Sequence, residues 1–139
     1  MPRACNCIVV GRETYETVMK LYKDYNFDSV DCEYKLIVTK QSDYSAKAGY
    51  VVVHSPGEAI SYLKSKRVSE ILLAGGGKLN TSFAEAGLID ELEFILEPYL
   101  IGDGRQVLSV GDFESKLELI ESEELKGSRV RNKYRVIKL

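Results

Sequence analysis

The chain has 139 residues, 45% hydrophobic and 29% charged, with a formal net charge of −2. That length suits one domain over residues 1–139 with a real core. The near-neutral balance offers no basic field for nucleic acid, no apolar run approaches the roughly 20 residues of a membrane helix, and Met1-Pro2-Arg3 leads straight into a strand, so a cytoplasmic globular protein is expected.

Cysteines are three, Cys5, Cys7 and Cys32, beside a single histidine, His54. The Cys5-x-Cys7 spacing puts two side chains on one face of a strand rather than around a metal. No metal site is expected from so few ligands, and the thiols read as reduced and partly buried.

Cys5 to Val10 is a short apolar strand, followed by Tyr15, Val18, Met19, Tyr22 and Tyr25 at helical spacing, which predicts a helix from about Glu13 to Tyr25. Asn26 to Cys32 is polar and reads as a loop. Leu36 to Val38 and Tyr50 to Val53 are two further strands. The second meets a strong helix start, with Ser55 as cap, Pro56 at the first helical position and Glu58 as capping-box acid. That helix runs to about Arg67, and His54 just before it reads as a surface or satisfied histidine.

Ile71 to Ala74 is continuously apolar, as a central strand covered on both faces would be. Leu79, Phe83 and Ala86 then form the buried stripe of a third helix, ended by Gly87. From here the period is two: Leu92, Phe94 and Leu96 alternate with Glu91, Glu93 and Ile95. A hairpin closes the chain, with strands near Lys116 to Glu123 and Val130 to Leu139 around a turn at Lys126-Gly127-Ser128. In it Val130, Tyr134 and Val136 share one face, and Arg129, Arg131, Lys133 and Arg135 the other. Alternating strands and helices before an antiparallel hairpin imply an α/β fold, a mixed sheet flanked by helices.

The most informative stretch is Ala74-Gly75-Gly76-Gly77-Lys78-Leu79-Asn80, where an apolar strand runs through three glycines into a helix. Such a turn offers free amides and the positive end of a helix dipole to a phosphate. It is neither a dinucleotide fingerprint nor a Walker loop, because Asn80 stands where the third glycine would be and Leu79 where Ser or Thr would be. The plainer alternative is a tight turn that lets helix and strand pack closely. A second junction, Gly11-Arg12-Glu13-Thr14, repeats the chemistry on a smaller scale, and Thr39-Lys40-Gln41-Ser42 adds a cation and hydroxyls at the end of another strand. The Gly102-Asp103-Gly104-Arg105 loop is either a surface turn or the mouth of a pocket.

Val9 to Glu16, Ala74 to Phe83, Ala86 to Leu92 and Pro98 to Gly104 together resemble the reductase domain of riboflavin biosynthesis and its dihydrofolate-reductase-like relatives. The resemblance implies a three-layer α/β/α fold, NADPH as cofactor and hydride transfer to a small heterocycle, a pyrimidine or a pterin-like compound. It implies that Gly11, Arg12 and Thr14 contact the cofactor's phosphates, that Thr39 and Lys40 lie by its adenosine ribose phosphate, and that Gly75, Gly76, Gly77, Lys78 and Leu79 bind the pyrophosphate. Catalytic side chains are not assignable. A homodimer is expected, partly from the family and partly because the antiparallel strands have open edges.

Family members usually begin with a strand carrying a Ser-x-Asp-Gly-like motif and a loop and helix that line the substrate pocket. This chain starts at the following strand, so a gap is expected, closed by altered pairing, a second protomer or another segment. The riboflavin reductases also carry a substrate-contacting glutamate before the glycines, where Ala74 stands. Two other functions therefore remain beside the reductase: an NADP(H)-binding module without reductase activity, and an assembly or scaffold domain using its exposed strands.

Overall fold

A computed structural model describes residues 6–24 and 26–138; Cys5, which opens a predicted strand, and Tyr25 and Leu139, which close predicted elements, lie outside the described residues. The element order is β1 (Cys7–Gly11), α1 (Arg12–Leu21), a 3-10 turn (Phe27–Ser29), β2 (Tyr34–Val38), β3 (Val51–Val53), α2 (Pro56–Ser65), β4 (Leu72–Leu73), α3 (Gly77–Glu85), β5 (Glu91–Leu96), β6 (Lys116–Leu125) and β7 (Arg129–Ile137).

Four strands form a parallel sheet in the order β3-β2-β1-β4. With neighbours on both sides and helices on both faces, β1 buries Cys7, Ile8, Val9 and Val10. Cys7 and Val9 join Leu36, Val53, Ala59, Leu63, Leu79 and Phe83 on the face that α2 and α3 cover. Val10 joins Ile37 and Tyr15 on the face that α1 covers. This is the three-layer arrangement expected, and each fully buried aliphatic side chain contributes about 1.5–3 kcal/mol.

α1 ends at Leu21, a turn earlier than its periodicity predicts, because the Asn26 amide donates to the carbonyls of Tyr22 and Lys23 and satisfies the terminus locally. α2 starts as expected, with Ser55 Oγ accepting from Glu58 N at 3.0 Å. The Glu58 carboxylate accepts from His54 N rather than closing the capping box on Ser55. In α3, Leu79 and Phe83 are buried but Ala86 is an exposed C-cap, and Thr81 takes the third inward position. Gly87 ends the helix at φ +68°, where a side chain would be strained.

The stretch Ile71 to Ala74 is not a central strand covered on both faces. Among the described residues only Leu72 and Leu73 pair, and only with β1, so β4 is an edge there and Leu72 is 50% exposed. Its far side is not joined to β5. The expected mixed sheet is therefore two sheets, the second antiparallel in the order β5-β7-β6. That second sheet has the predicted alternation, with Arg131, Lys133 and Arg135 on one face and Val130, Tyr134 and Val136 on the other.

Candidate functional site

The carboxyl ends of β1 and β4 lie side by side. Ala74 N donates to Val9 O at 2.8 Å and Gly11 N donates to Gly75 O at 2.8 Å, so the two strand-to-helix junctions meet. Gly75 sits at φ +89°, and the Gly75–Gly76 peptide is cis. A Cβ on Gly76 would lie 2.8 Å from Thr14 Oγ1, which sets the hydroxyl of the first junction against the glycines of the second. Leu79 is buried below, its Cβ 3.6 Å from where a Gly11 Cβ would be, and holds α3 close to β1.

α1 begins after Gly11 and α3 after Gly76, and neither has a side-chain cap, whereas α2 is capped by Ser55. First-turn amides have no partner inside a helix. Two sets of them, with two positive dipole ends, therefore sit at one edge of the sheet, which suits an anion.

The other expected residues follow along this edge in strand order. Arg12 is at the start of α1, its guanidinium held by Glu16 at 3.2 Å and by Glu13 at 3.6 Å. Lys78 is exposed on the first turn of α3. Thr39, at the end of β2, is buried in a turn: its hydroxyl accepts from Gln41 N at 3.1 Å and its amide donates to Val53 O at 3.0 Å. Lys40 beside it is exposed, and two strand spacings separate it from the glycines, roughly 10 Å. His54 Nδ1 meets Thr39 O at 2.8 Å, which ties the ends of β2 and β3.

A further part of the site escaped the sequence reading. The segment 105–112 lies against α3, where Asn80 Nδ2 donates to Val107 O at 2.8 Å and Thr81 Oγ1 to Ser109 O at 3.0 Å. A Cβ on Gly77 would come within 2.6 Å of Gln106 O, so this loop packs closely against Gly77. The one available signal was a pair of polar residues, Asn80 and Thr81, on a short helix. The Gly102 to Gly104 turn, by contrast, stands in open space.

The clearest shifted titration lies beside α1 rather than at this edge. A hydrogen bond from Lys47, and a second from the Tyr50 hydroxyl at 2.7 Å, hold the Asp28 carboxyl below its ordinary range. Burial, then the bond to Asp28, pushes the Tyr50 phenol up. Among the described residues no group of three or more His, Cys, Asp and Glu is placed to hold a metal ion. Nor is any helix among them long and apolar enough to cross a membrane.

Residues 8–130 match the family model described as the RibD C-terminal domain. The chain belongs to the RibD C-terminal domain family. No curated protein matches it. Among solved structures it is similar to a protein from Shewanella sp. PV-4 described as a riboflavin biosynthesis protein, with a TM-score of 0.83 at 20% identity, covering 96% of this chain and 75% of that one. RibD from Acinetobacter baumannii matches with a TM-score of 0.70 at 16% identity, over 96% of this chain and 47% of that one. Dihydrofolate reductase from Enterococcus faecalis, solved with NADP(H), matches with a TM-score of 0.62 at 18% identity, over 96% of this chain and 75% of that one. At these identities the likeness is one of fold, a dihydrofolate-reductase-like domain; the chain spans three quarters of the first relative and under half of the second.

Proposed function

We propose that this RibD-family domain binds NADPH along the carboxyl edge of β2, β1 and β4 and serves a reductase that acts on a small heterocycle, a riboflavin-pathway pyrimidine or a pterin-like compound. The observation that carries this reading is the meeting of two uncapped helix starts through the 2.8 Å bond from Gly11 to Gly75. A pyrophosphate needs several amide donors and little side-chain bulk. Gly75, Gly76 and Gly77 bring backbone without side-chain bulk to this edge, the first turn of α3 through Lys78 and Leu79 supplies amides, and Thr14 adds a hydroxyl. Arg12 is a cation at the same edge, shared with Glu16. Lys40, roughly two strands away, suits the extra phosphate that distinguishes NADPH from NADH, with Thr39 shaping its turn.

When bound, the cofactor supplies the hydride. The residues of this chain would bind and orient it along this edge, with the 105–112 loop packed against Gly77. Ala74, exposed before the glycines, has no polar side chain to hold a substrate, and among the described residues the parallel sheet ends at β4. Those two observations favour a second reading, NADP(H) binding without turnover by this chain alone.

Calorimetric titration with NADPH, with NADH as control, tests the site. The expected result is micromolar NADPH binding, weakened by Lys40→Ala and lost on Gly76→Asp. Absence of heat, together with no thermal stabilisation by millimolar NADPH, overturns the reading. Oxidation of bound NADPH by a pterin or pyrimidine then separates the reductase from the binding module.

A further inference from the structure

The 105–112 segment has neither helix nor strand, and none of its residues is buried: Val107 is 57% exposed, Val110 96%, and Leu108 half-buried. What holds it is a short ladder of hydrogen bonds to α3. Asn80 Nδ2 donates to Val107 O at 2.8 Å, Thr81 Oγ1 donates to Ser109 O at 3.0 Å, and Ser109 N donates back to Gly77 O at 3.4 Å. Asp112 N reaches the Glu85 carboxylate at 3.4 Å. A segment docked mainly by hydrogen bonds near solvent, with no buried apolar anchor of its own, opens locally at low cost.

Asn80 is the member of that ladder whose side chain also meets the glycine turn. Its backbone amide donates to Gly76 O at 2.9 Å, and a Cβ on Gly75 would lie 3.6 Å from its Nδ2 and 3.9 Å from its Oδ1. Val107 O can only accept, so the nitrogen of the side-chain amide must face the segment, which fixes the orientation of the whole group. Gly75, at φ +89°, has no side chain to fill the space beside it, and Asn80 fills it. Segment and turn also touch at Gly77, where a Cβ would come within 2.6 Å of Gln106 O and 3.2 Å of Ser109 Oγ.

We propose that Asn80 is a positioning residue of the nucleotide site, coupling the 105–112 segment to the Gly75–Gly77 turn so that nucleotide on the turn and docking of the segment favour each other. This rests on the cofactor reading above and adds a means of regulating that site. A run of three glycines has no side chains to define its shape, so the shape is set by what packs against it. With the segment docked, Asn80 bears on Gly75 and Gln106 O on Gly77. With the segment lifted, Asn80 loses its bond to Val107 and Gly77 loses its neighbour. A pyrophosphate needs several amides aimed at it together. A ligand that selects the supported turn therefore also selects the docked segment, and by reciprocity, lifting the segment weakens the ligand by the same factor. Asn80 acts here through Gly75 and touches no phosphate itself.

Calorimetric titration with NADPH and amide hydrogen exchange at Ser109 test the coupling. In the wild-type chain, saturating NADPH should slow exchange at Ser109 about fivefold or more, as ordinary coupling between sites does. Asn80→Ala should raise the Kd for NADPH about fivefold or more, speed the exchange in the free protein and remove its response to saturating nucleotide. Gly111→Ala pries the segment from Thr81 without touching the glycine turn, since the added Cβ would meet Thr81 Cγ2 and the Glu85 carboxyl. It should weaken NADPH binding too, and add little in the Asn80→Ala background. Far-ultraviolet circular dichroism of each variant keeps loss of folding distinct from loss of coupling. Wild-type binding that leaves Ser109 exchange unchanged, or a folded Gly111→Ala protein with wild-type affinity, overturns the coupling and leaves the cofactor reading standing. A wild-type chain that binds no NADPH overturns both.

Discussion

Thr14 on the first helix and Gly76 at the start of the third face each other so closely that a single methyl on the glycine would sit 2.8 Å from the threonine hydroxyl oxygen. Two residues 62 positions apart in sequence thus meet at a contact with no room to spare.

Gly76→Ala should therefore cost about 1–3 kcal/mol, the usual range for overpacking. The penalty should shrink by half or more in a Thr14→Ala background, which removes the obstructing hydroxyl. A double-mutant cycle by urea unfolding measures this coupling. Equal penalties in both backgrounds would show that the two side chains do not touch.

Asp28 makes a prediction about acid stability. Hydrogen bonds from Lys47 and Tyr50 lower its folded pKa, so its contribution is present above the unfolded value of about 3.9 and is lost as pH falls through the lower folded value. Asp28→Asn should narrow the difference in Tm between about pH 7 and about pH 3. An unchanged difference would mean that other carboxyls govern the acid limb.

Gly111 lies against Thr81 Cγ2 and the Glu85 carboxyl, with no space for a Cβ. Gly111→Ala should lift the 105–112 segment off α3 and speed hydrogen exchange at the Ser109 amide, which donates to Gly77 O at 3.4 Å. Thr81→Ser, which keeps the hydroxyl bonded to Ser109 O and removes the methyl, should slow that exchange again. Exchange that is insensitive to Gly111→Ala would rule out the tie.

Leu63 on α2 is fully buried in the core below β2 and β3. Leu63→Ala should cost about 2–5 kcal/mol. Leu21→Ala, on an exposed helix end, should change stability by no more than about 0.5 kcal/mol. Similar costs in guanidinium unfolding would contradict the placement of the core.

What could be read in the sequence had local causes. Ser55-Pro56 starts α2, Gly87 stops α3, the Lys126 to Ser128 turn closes the hairpin, and the glycine run sits where backbone approach demands it. Ile71 to Ala74 misled because continuous apolarity describes a strand with neighbours on both sides, while the neighbour of β4 is decided by pairing far away in sequence. Ala86 misled because a helical period says nothing of where the helix unwinds. The reach of Asn80 and Thr81 to the 105–112 loop was hidden for the same reason: hydrogen bonds to carbonyls 27 or 28 residues away leave no periodic trace.

The bond between Gly11 and Gly75 also closes a long loop of chain, roughly 60 residues, at a loss of configurational freedom that grows only slowly with its length. A ligand that grips both ends of that loop acts on the chain as a reversible cross-link. By mass action such a ligand would stabilise the closed pairing of β4 with β1 in proportion to its occupancy, so the edge of the parallel sheet would open less often as the ligand concentration rose.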